Sequence, residues 1–393
     1  VGLIAFVGAD GNIYTMNQAG RNVVSITTDA TQGGEFFRLY SVVRWSPDDQ
    51  RLGFVGFSGE GTAGALTRVF VADRDGSNVQ ELFSSPNALP VNLGWTPDGT
   101  ALTFLTTNSD GNILVLRSIP IDGGEVQVLD TGPGLFWDWS PAGDRLLIHA
   151  GGAIALRPDA RLAFLHVGDR LVEEGLHYRP AFFQAPAFSP DGSRILIVAE
   201  GEAGNSEIVM ADLAGENEHV LDTFVGSSGF DWSPDGRWVA FANSQNPNFV
   251  SMGPLTIVDA EQPTQPAIQS EGDSVIAFFW SPDGKRIAYF LPAYRENEDG
   301  EESLVGFDVH VMEAESGADK RLFTFSPTQD FFNVITRYDQ YQRVTTVWSP
   351  DSQNIVIPAQ TGNGPLIVVA QADGDFAPRG LQSGILASWS WHE

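Results

Sequence analysis

Apolar runs along this chain are short, carry the alternation of half-buried strands, and stop at the same kind of punctuation. The clearest instance is Asp231-Trp232-Ser233-Pro234-Asp235-Gly236-Arg237-Trp238-Val239-Ala240-Phe241. An extended run ends in Trp-Ser, Pro-Asp-Gly makes a tight turn, and a second apolar run leaves it. Pro presets φ at the second turn position and Gly accepts the positive φ that closes the turn. The pattern predicts a β-hairpin with the Trp as a large core anchor.

The same phrase returns at Trp45-Ser46-Pro47-Asp48, Trp95-Thr96-Pro97-Asp98-Gly99, Trp139-Ser140-Pro141 and Phe188-Ser189-Pro190-Asp191-Gly192. It returns again at Trp232, at Trp280-Ser281-Pro282-Asp283-Gly284 and at Trp348-Ser349-Pro350-Asp351. Subtracting anchor positions gives steps of 50, 44, 49, 44, 48 and 68 residues. A period in the forties with several short strands per repeat is the pattern of a propeller blade. The phrase resembles the TolB-type β-propeller repeat over nearly the whole chain. The expected architecture is therefore all-β, a single propeller over residues 1–393, which radial repetition allows at this length.

The second strands of the units begin near Leu3, Leu52, Leu102, Leu146, Ile195, Val239, Ile287 and Ile355, which counts eight four-stranded blades. Eight blades resemble the propellers of the dipeptidyl-peptidase family without the hydrolase domain. The alternative is seven, with the weak unit Arg145 to Leu171 as a distorted insertion. The first unit lacks an inner strand, and the segment Ile385 to Trp391 has the pattern that precedes the turns elsewhere. The C-terminal segment is expected to complete the N-terminal blade, with Trp391 keeping the period, and so to remove a free sheet edge.

Alternating strand direction sorts the connections onto two faces. Tight A–B and C–D turns share one face. Every long insertion falls on the other: Asp29 to Ser41, Gly56 to Ala65, Asn243 to Pro254, Leu291 to Gly306 and Ser326 to Arg343. Function concentrates on variable loops held by a rigid scaffold, so the long-loop face is the expected working face.

Charge then narrows the classes. Fifty acidic residues stand against 22 basic ones, a net charge of -28, so the surface repels phosphate backbones and nucleic-acid binding is not expected. No apolar run reaches the roughly 18 residues of a membrane span. There is no Cys, hence no disulfide or thiol chemistry. The chain opens on Val1 inside a strand-like run, as expected of a mature or excised segment. Together with the TolB resemblance this implies a periplasmic or extracellular, cell-envelope-associated protein.

Catalytic signals are scarce. Gly-x-Ser-x-Gly does not occur, and the six histidines (His149, His166, His177, His219, His310, His392) show no ligand spacing. A propeller can still bring distant histidines to its axis, as in the oligogalacturonate lyases that this repeat also resembles. No cofactor is expected apart from calcium, whose weak candidates Glu296, Glu298 and Asp299 lie in a dense carboxylate run without an alternating ligand order. A solvated acidic loop is the simpler reading of that run.

Arginine and aromatic residues coincide on three D–A loops. They bring together Arg38 with Tyr40, Tyr178 with Arg179, and Phe332, Arg337, Tyr338 and Arg343. These residue types are enriched in interface hot spots. They are the expected partner-binding set, four cations gathered on one face of an acidic chain; the competing reading packs the rings under their own loops and pairs each Arg with a nearby acid. The expected function is a non-catalytic scaffold that docks a protein on the long-loop face. The alternative is a carbohydrate- or peptide-active lyase or hydrolase with an axial pocket.

Overall fold

A computed structural model describes residues 2–33, 36–60, 66–86, 88, 90–108, 110–151, 160–181, 184–201, 204–246, 252–296 and 300–393. The strands form eight antiparallel sheets arranged as a β-propeller. Blade 2 shows the order from the axis outward: Phe36–Trp45, Arg51–Glu60, Leu66–Asp73 and Gln80–Ser85. The inner strands of the next five blades are Pro90–Trp95, Leu135–Trp139, Ala187–Phe188, Ser228–Trp232 and Ala277–Trp280. In blade 8 the inner edge shrinks to the bridges Trp348↔Ile355 and Pro327↔Ala359 beside Asn354–Thr361, Gly364–Gln371 and Arg379–Gly380. Blade 4, the doubtful unit, is a regular four-stranded sheet, Leu135–Trp139, Arg145–Ala150, Arg161–His166 and Val172–Gly175. The count is eight. Among the described residues no helix is long and apolar enough to cross a membrane.

The repeated turn works by hydrogen bonding as well as by φ. In blade 2 the Ser46 hydroxyl accepts the Arg51 N–H and donates to Asp48 Oδ1, which in turn accepts the Gln50 N–H. The same hydroxyl–carboxylate contact recurs at Thr96–Asp98, Ser189–Asp191, Ser233–Asp235, Ser281–Asp283 and Ser349–Asp351. Where Ala142 replaces the Asp, Ser140 uses Asp144 instead. Gly fills the left-handed fourth position except at Asp49 (φ 56°) and Ser352 (φ 59°). Both exceptions bond across a blade seam: Asp49 accepts the N–H groups of Trp391 and His392, and Ser352 Oγ accepts the Asp283 N–H.

The Trp that precedes each turn stitches one blade to the last. Trp45 Nε1 donates to the Ser388 carbonyl, Trp95 Nε1 to Arg44 and Trp348 Nε1 to Phe279. Trp45, Trp232, Trp348 and Phe188 are buried as expected, while Trp95, Trp139 and Trp280 are only half-buried and show a face to the channel.

Closure follows the expected pairing, with a shift in the anchor. The strand Gly384–Trp389 lies innermost in blade 1 and pairs with Leu3–Gly8 through Ile4↔Trp389, Ala5↔Ser388, Phe6↔Ala387 and Val7↔Leu386. Leu3 N–H donates to Ser390 Oγ, as Arg51 N–H does to Ser46 Oγ. The residue in the anchor register is therefore Trp389, which is fully buried, and not Trp391, which is 42% exposed at the channel end.

Candidate functional site

Strand alternation turns the residue before each anchor Trp toward the axis, and these residues form one ring. Around the propeller the ring reads Ser388, Arg44, Gly94, Asp138, Ala187, Asp231, Phe279 and Val347 in blades 1 to 8. Seven of them line two chambers at the channel end bounded by the tight-turn prolines Pro47, Pro97, Pro234 and Pro282. The sequence reading followed the Trp residues and passed over their neighbours. The Asp-Trp-Ser form of two repeats, at Asp138 and Asp231, was the visible signal.

The other end of the channel is closed by the connection between blades 7 and 8. Thr328 caps the helix Gln329–Thr336, its hydroxyl accepting the Phe331 N–H at 3.2 Å, and Phe331, Val334 and Ile335 are buried. A short helix Tyr338–Tyr341 and a 3₁₀ turn Gln342–Val344 then cross the axis. This plug bonds to blades 3 and 6: Asn92 Nδ2 donates to the Gln340 carbonyl (2.9 Å) and Gln342 Nε2 to the Phe230 carbonyl (2.8 Å). Tyr338 is buried with its ring 4.6 Å from that of Phe278.

Arg343 holds the plug at its centre. Its Nη1 donates to the Pro186 carbonyl, its Nε lies 3.5 Å from Asp231 Oδ1, and Nη1 lies 3.8 Å from Asp138 Oδ2. Asp138 also accepts the Phe188 N–H at 2.7 Å. Burial pushes the Asp231 carboxyl up to about 6 against the pull of Arg343, and raises Asp138 as well. One guanidinium thus joins blades 4, 5 and 6.

The segment Gln342 to Thr346 divides the vestibule. On one side, a chamber of about 320 Å³ runs past Trp232, Phe279, Trp280 and Trp348. The other, about 330 Å³, is walled by Trp45, Trp95, Trp137, Trp139 and Trp391 and contains Arg44 and Asp339. Arg44 is 4% exposed; its Nη1 donates to the Val43 carbonyl and its Nε has no partner. Among the described residues no carboxylate lies within ion-pair distance of it. Burial lowers its pKa to about 10. Asp339 is pushed up to about 7, also by burial. No histidine lines either chamber, and among the described residues no three His, Asp or Glu side chains converge to hold a metal ion. His149 is buried away from the axis with Nδ1 at 2.9 Å from the Gln184 carbonyl.

The expected partner-binding residues separate into three environments. Tyr338 and Arg343 are inside the plug, because the segment folds as an amphipathic helix pair and fills the channel rather than overhanging it. Tyr40 is buried, donating to Asp29 Oδ1 at 2.7 Å and stacking edge-on to Phe54, while Arg38 pairs with the same Asp29. Tyr178 is half-buried beside His177. Arg179 and Arg337 are exposed, Arg179 at 84% with Glu200 Oε2 at 3.6 Å, and Phe332 is half-buried against Phe307. The four arginines share no carboxylate and do not form one cluster; three of them meet their own acids instead. Of the calcium candidates, Glu296 ends a strand and is exposed, while Glu298 and Asp299 lie outside the described residues.

No protein-family model matches the chain, and no curated protein matches it in sequence. Solved structures do match in fold. A dihydro-heme d1 dehydrogenase, NirN, in complex with DHE is 13% identical over 98% of this chain and 74% of that one, at a TM-score of 0.58. An oligogalacturonate lyase in complex with manganese is 13% identical over 94% and 96%, at 0.53. The β-propeller domain of the Trilobed protease from Pyrococcus furiosus is 11% identical over 88% and 98%, at 0.52. TolB proteins from Acinetobacter baumannii and Agrobacterium tumefaciens also match, at TM-scores of 0.39 and 0.43. At such identities the three matches above a TM-score of 0.5 show a likeness of fold alone.

Proposed function

We propose that the protein is a non-catalytic, exported docking scaffold that binds a protein partner on its long-loop face. The observation that carries this reading is the hairpin of blade 7. Its strands, Arg286–Glu296 and Glu302–Glu313, outrun the other inner and middle strands and carry Tyr294 (58% exposed), Leu304 (51%) and Val305 together beyond the ring. They stand beside a hollow bounded by Phe307, Pro327 and Phe332. A grouped apolar surface of this kind on an acidic, soluble-type exterior supports recognition of another protein.

The hairpin's charge supports a basic partner. Glu296 sits directly opposite Glu302 in the ladder, and like charges opposite each other destabilise a strand pair unless a cation neutralises them. Arg179 and Arg337, exposed on connections of the same face, would pair with acidic groups on the partner's rim. The expected location is the cell envelope or the extracellular space.

Affinity capture from the native envelope and secreted fractions, followed by calorimetry with the purified partner, tests the reading. Leu304→Asp with Tyr294→Ser should weaken binding by at least about tenfold, a loss of roughly 1.4 kcal/mol or more, with the melting temperature unchanged. An affinity that ignores both changes would place the contact elsewhere.

A further inference from the structure

At the opposite end of the propeller, the chamber holding Arg44 has the makings of a site that docking on the long-loop face does not use. Arg44 occupies the axial ring between Ser388 of blade 1 and Gly94 of blade 3, neither of which offers a counter-charge. The two ring aspartates are on blades 4 and 6, and Arg343 engages both. A buried guanidinium whose Nε has no partner and which no carboxylate meets is costly, and stability alone would favour an apolar residue of similar size.

Local backbone strain aims this side chain. The ladder between Phe36–Trp45 and Arg51–Glu60 slips by one residue between Ser41 and Arg44, and Val42 sits in the left-handed region at φ 54°. A β-branched residue is an outlier there, and a bulge re-aims the side chains that follow it. The next ring position is Gly94, where a Cβ would meet only Val344 Cγ1 at 3.3 Å. Its missing side chain leaves room beside Arg44. Five indole rings wall that room, and about 330 Å³ is at the small end of ligand pockets.

We infer that this chamber binds a small carboxylate borne on a flat apolar body, with Arg44 forking onto the carboxylate and the Trp walls stacking on the body. The guanidinium fork matches a carboxylate's two oxygens, and indole faces accept a planar apolar group at low entropic cost. A single uncompensated cation suits a monoanion; a dianion would also face Asp138 and Asp339 across the same space. The carboxylate could belong to a free acid or to a chain's C-terminus, and both present the same chemistry.

Calorimetry on the full chain with 3-phenylpropionate, its amide and inorganic phosphate decides the matter. The acid should bind saturably, with Kd of about 1 mM or tighter, and the amide at least about tenfold more weakly. Arg44→Met should lose at least about tenfold in affinity for the acid while its melting temperature holds or rises. Gly94→Leu, which leaves Arg44 in place and fills the chamber, should abolish binding. A peptide ending in Phe with a free carboxylate, binding more tightly than 3-phenylpropionate, would assign the site to a chain terminus; the reverse order assigns it to a free acid. Absence of saturable binding by the acid, equal binding of the amide, tighter binding of phosphate, or unchanged affinity in either variant would overturn the proposal.

Discussion

Two arginines approach the axis of this propeller, and their surroundings differ in kind. Arg343 comes from the plug, meets Asp138 and Asp231, and ties three blades together. Arg44 comes from a blade strand, donates to a neighbouring carbonyl, has the neutral Tyr341 phenol nearby, and faces an aromatic chamber. Both are removed from bulk water, so the difference is in the company each keeps. A buried charge held between counter-charges acts as a bolt, whereas one left without a counter-charge retains its attraction for a partner from outside.

The largest expected effect is on the ion-paired side. Arg343→Ala would leave two raised carboxyls facing each other without a cation, and chemical denaturation should report a loss of about 3–5 kcal/mol. A loss under about 1 kcal/mol would show that the plug is held by its apolar contacts, chiefly Phe331 and Tyr338, and that the comparison overstates the ion network.

Next in size is the carboxyl that shares the Arg44 chamber. Asp339 has its pKa raised to about 7 by burial, against about 3.9 in an unfolded chain. A raised folded value means that the stability it contributes is complete below the unfolded value and is lost as pH rises through about 7. Asp339→Asn should therefore match the wild type near pH 4 and exceed it near pH 8 by on the order of 2–4 kcal/mol. Asp231 titrates in the same direction and is present in both proteins, so it cancels in the difference. Melting curves across that range that stay parallel would mean that Asp339 ionises freely and serves Arg44 as a counter-ion.

The smallest effect compares two seams. Trp95 donates its indole N–H to the Arg44 carbonyl at 3.1 Å, while Trp280, equally half-buried at the seam after Asp231, leaves Nε1 without a partner. Phe in place of each removes similar ring area. Trp95→Phe should cost about 1 kcal/mol more than Trp280→Phe, the value of one net hydrogen bond. Equal costs would mean that the stitch contributes packing alone.

What could be read from the sequence followed from local chemistry repeated many times. Each Ser-Pro-Asp-Gly turn closes through atoms within six residues of one another, so its hairpin is legible wherever the phrase occurs. Seven such phrases give seven blades, and the strands left over at the two chain ends pair to make the eighth and close the ring. Even the sorting of long and short connections follows from strand direction alone. The plug was also partly legible: Thr328, Asp330 and the spacing of Phe331, Val334 and Ile335 are a capped amphipathic helix, masked because in a propeller repeat a long connection has the form of a surface loop.

The site itself depended on distance in three dimensions. Arg38, Arg179, Arg337 and Arg343 each have an aromatic residue within two positions in sequence, yet Asp29, Glu200, and the Asp138 and Asp231 pair engage three of them, and Arg337 is left in solvent. Partners up to 205 residues apart (343 minus 138) decide which guanidinium is spent and which is free. The chain alone determined the ring, because a turn is a short-range object whose energy is settled among neighbours. Only the closed ring decided the charge balance at its axis, because Coulomb energy and burial depend on which groups meet there, and that meeting is arranged by the folding of all eight blades together.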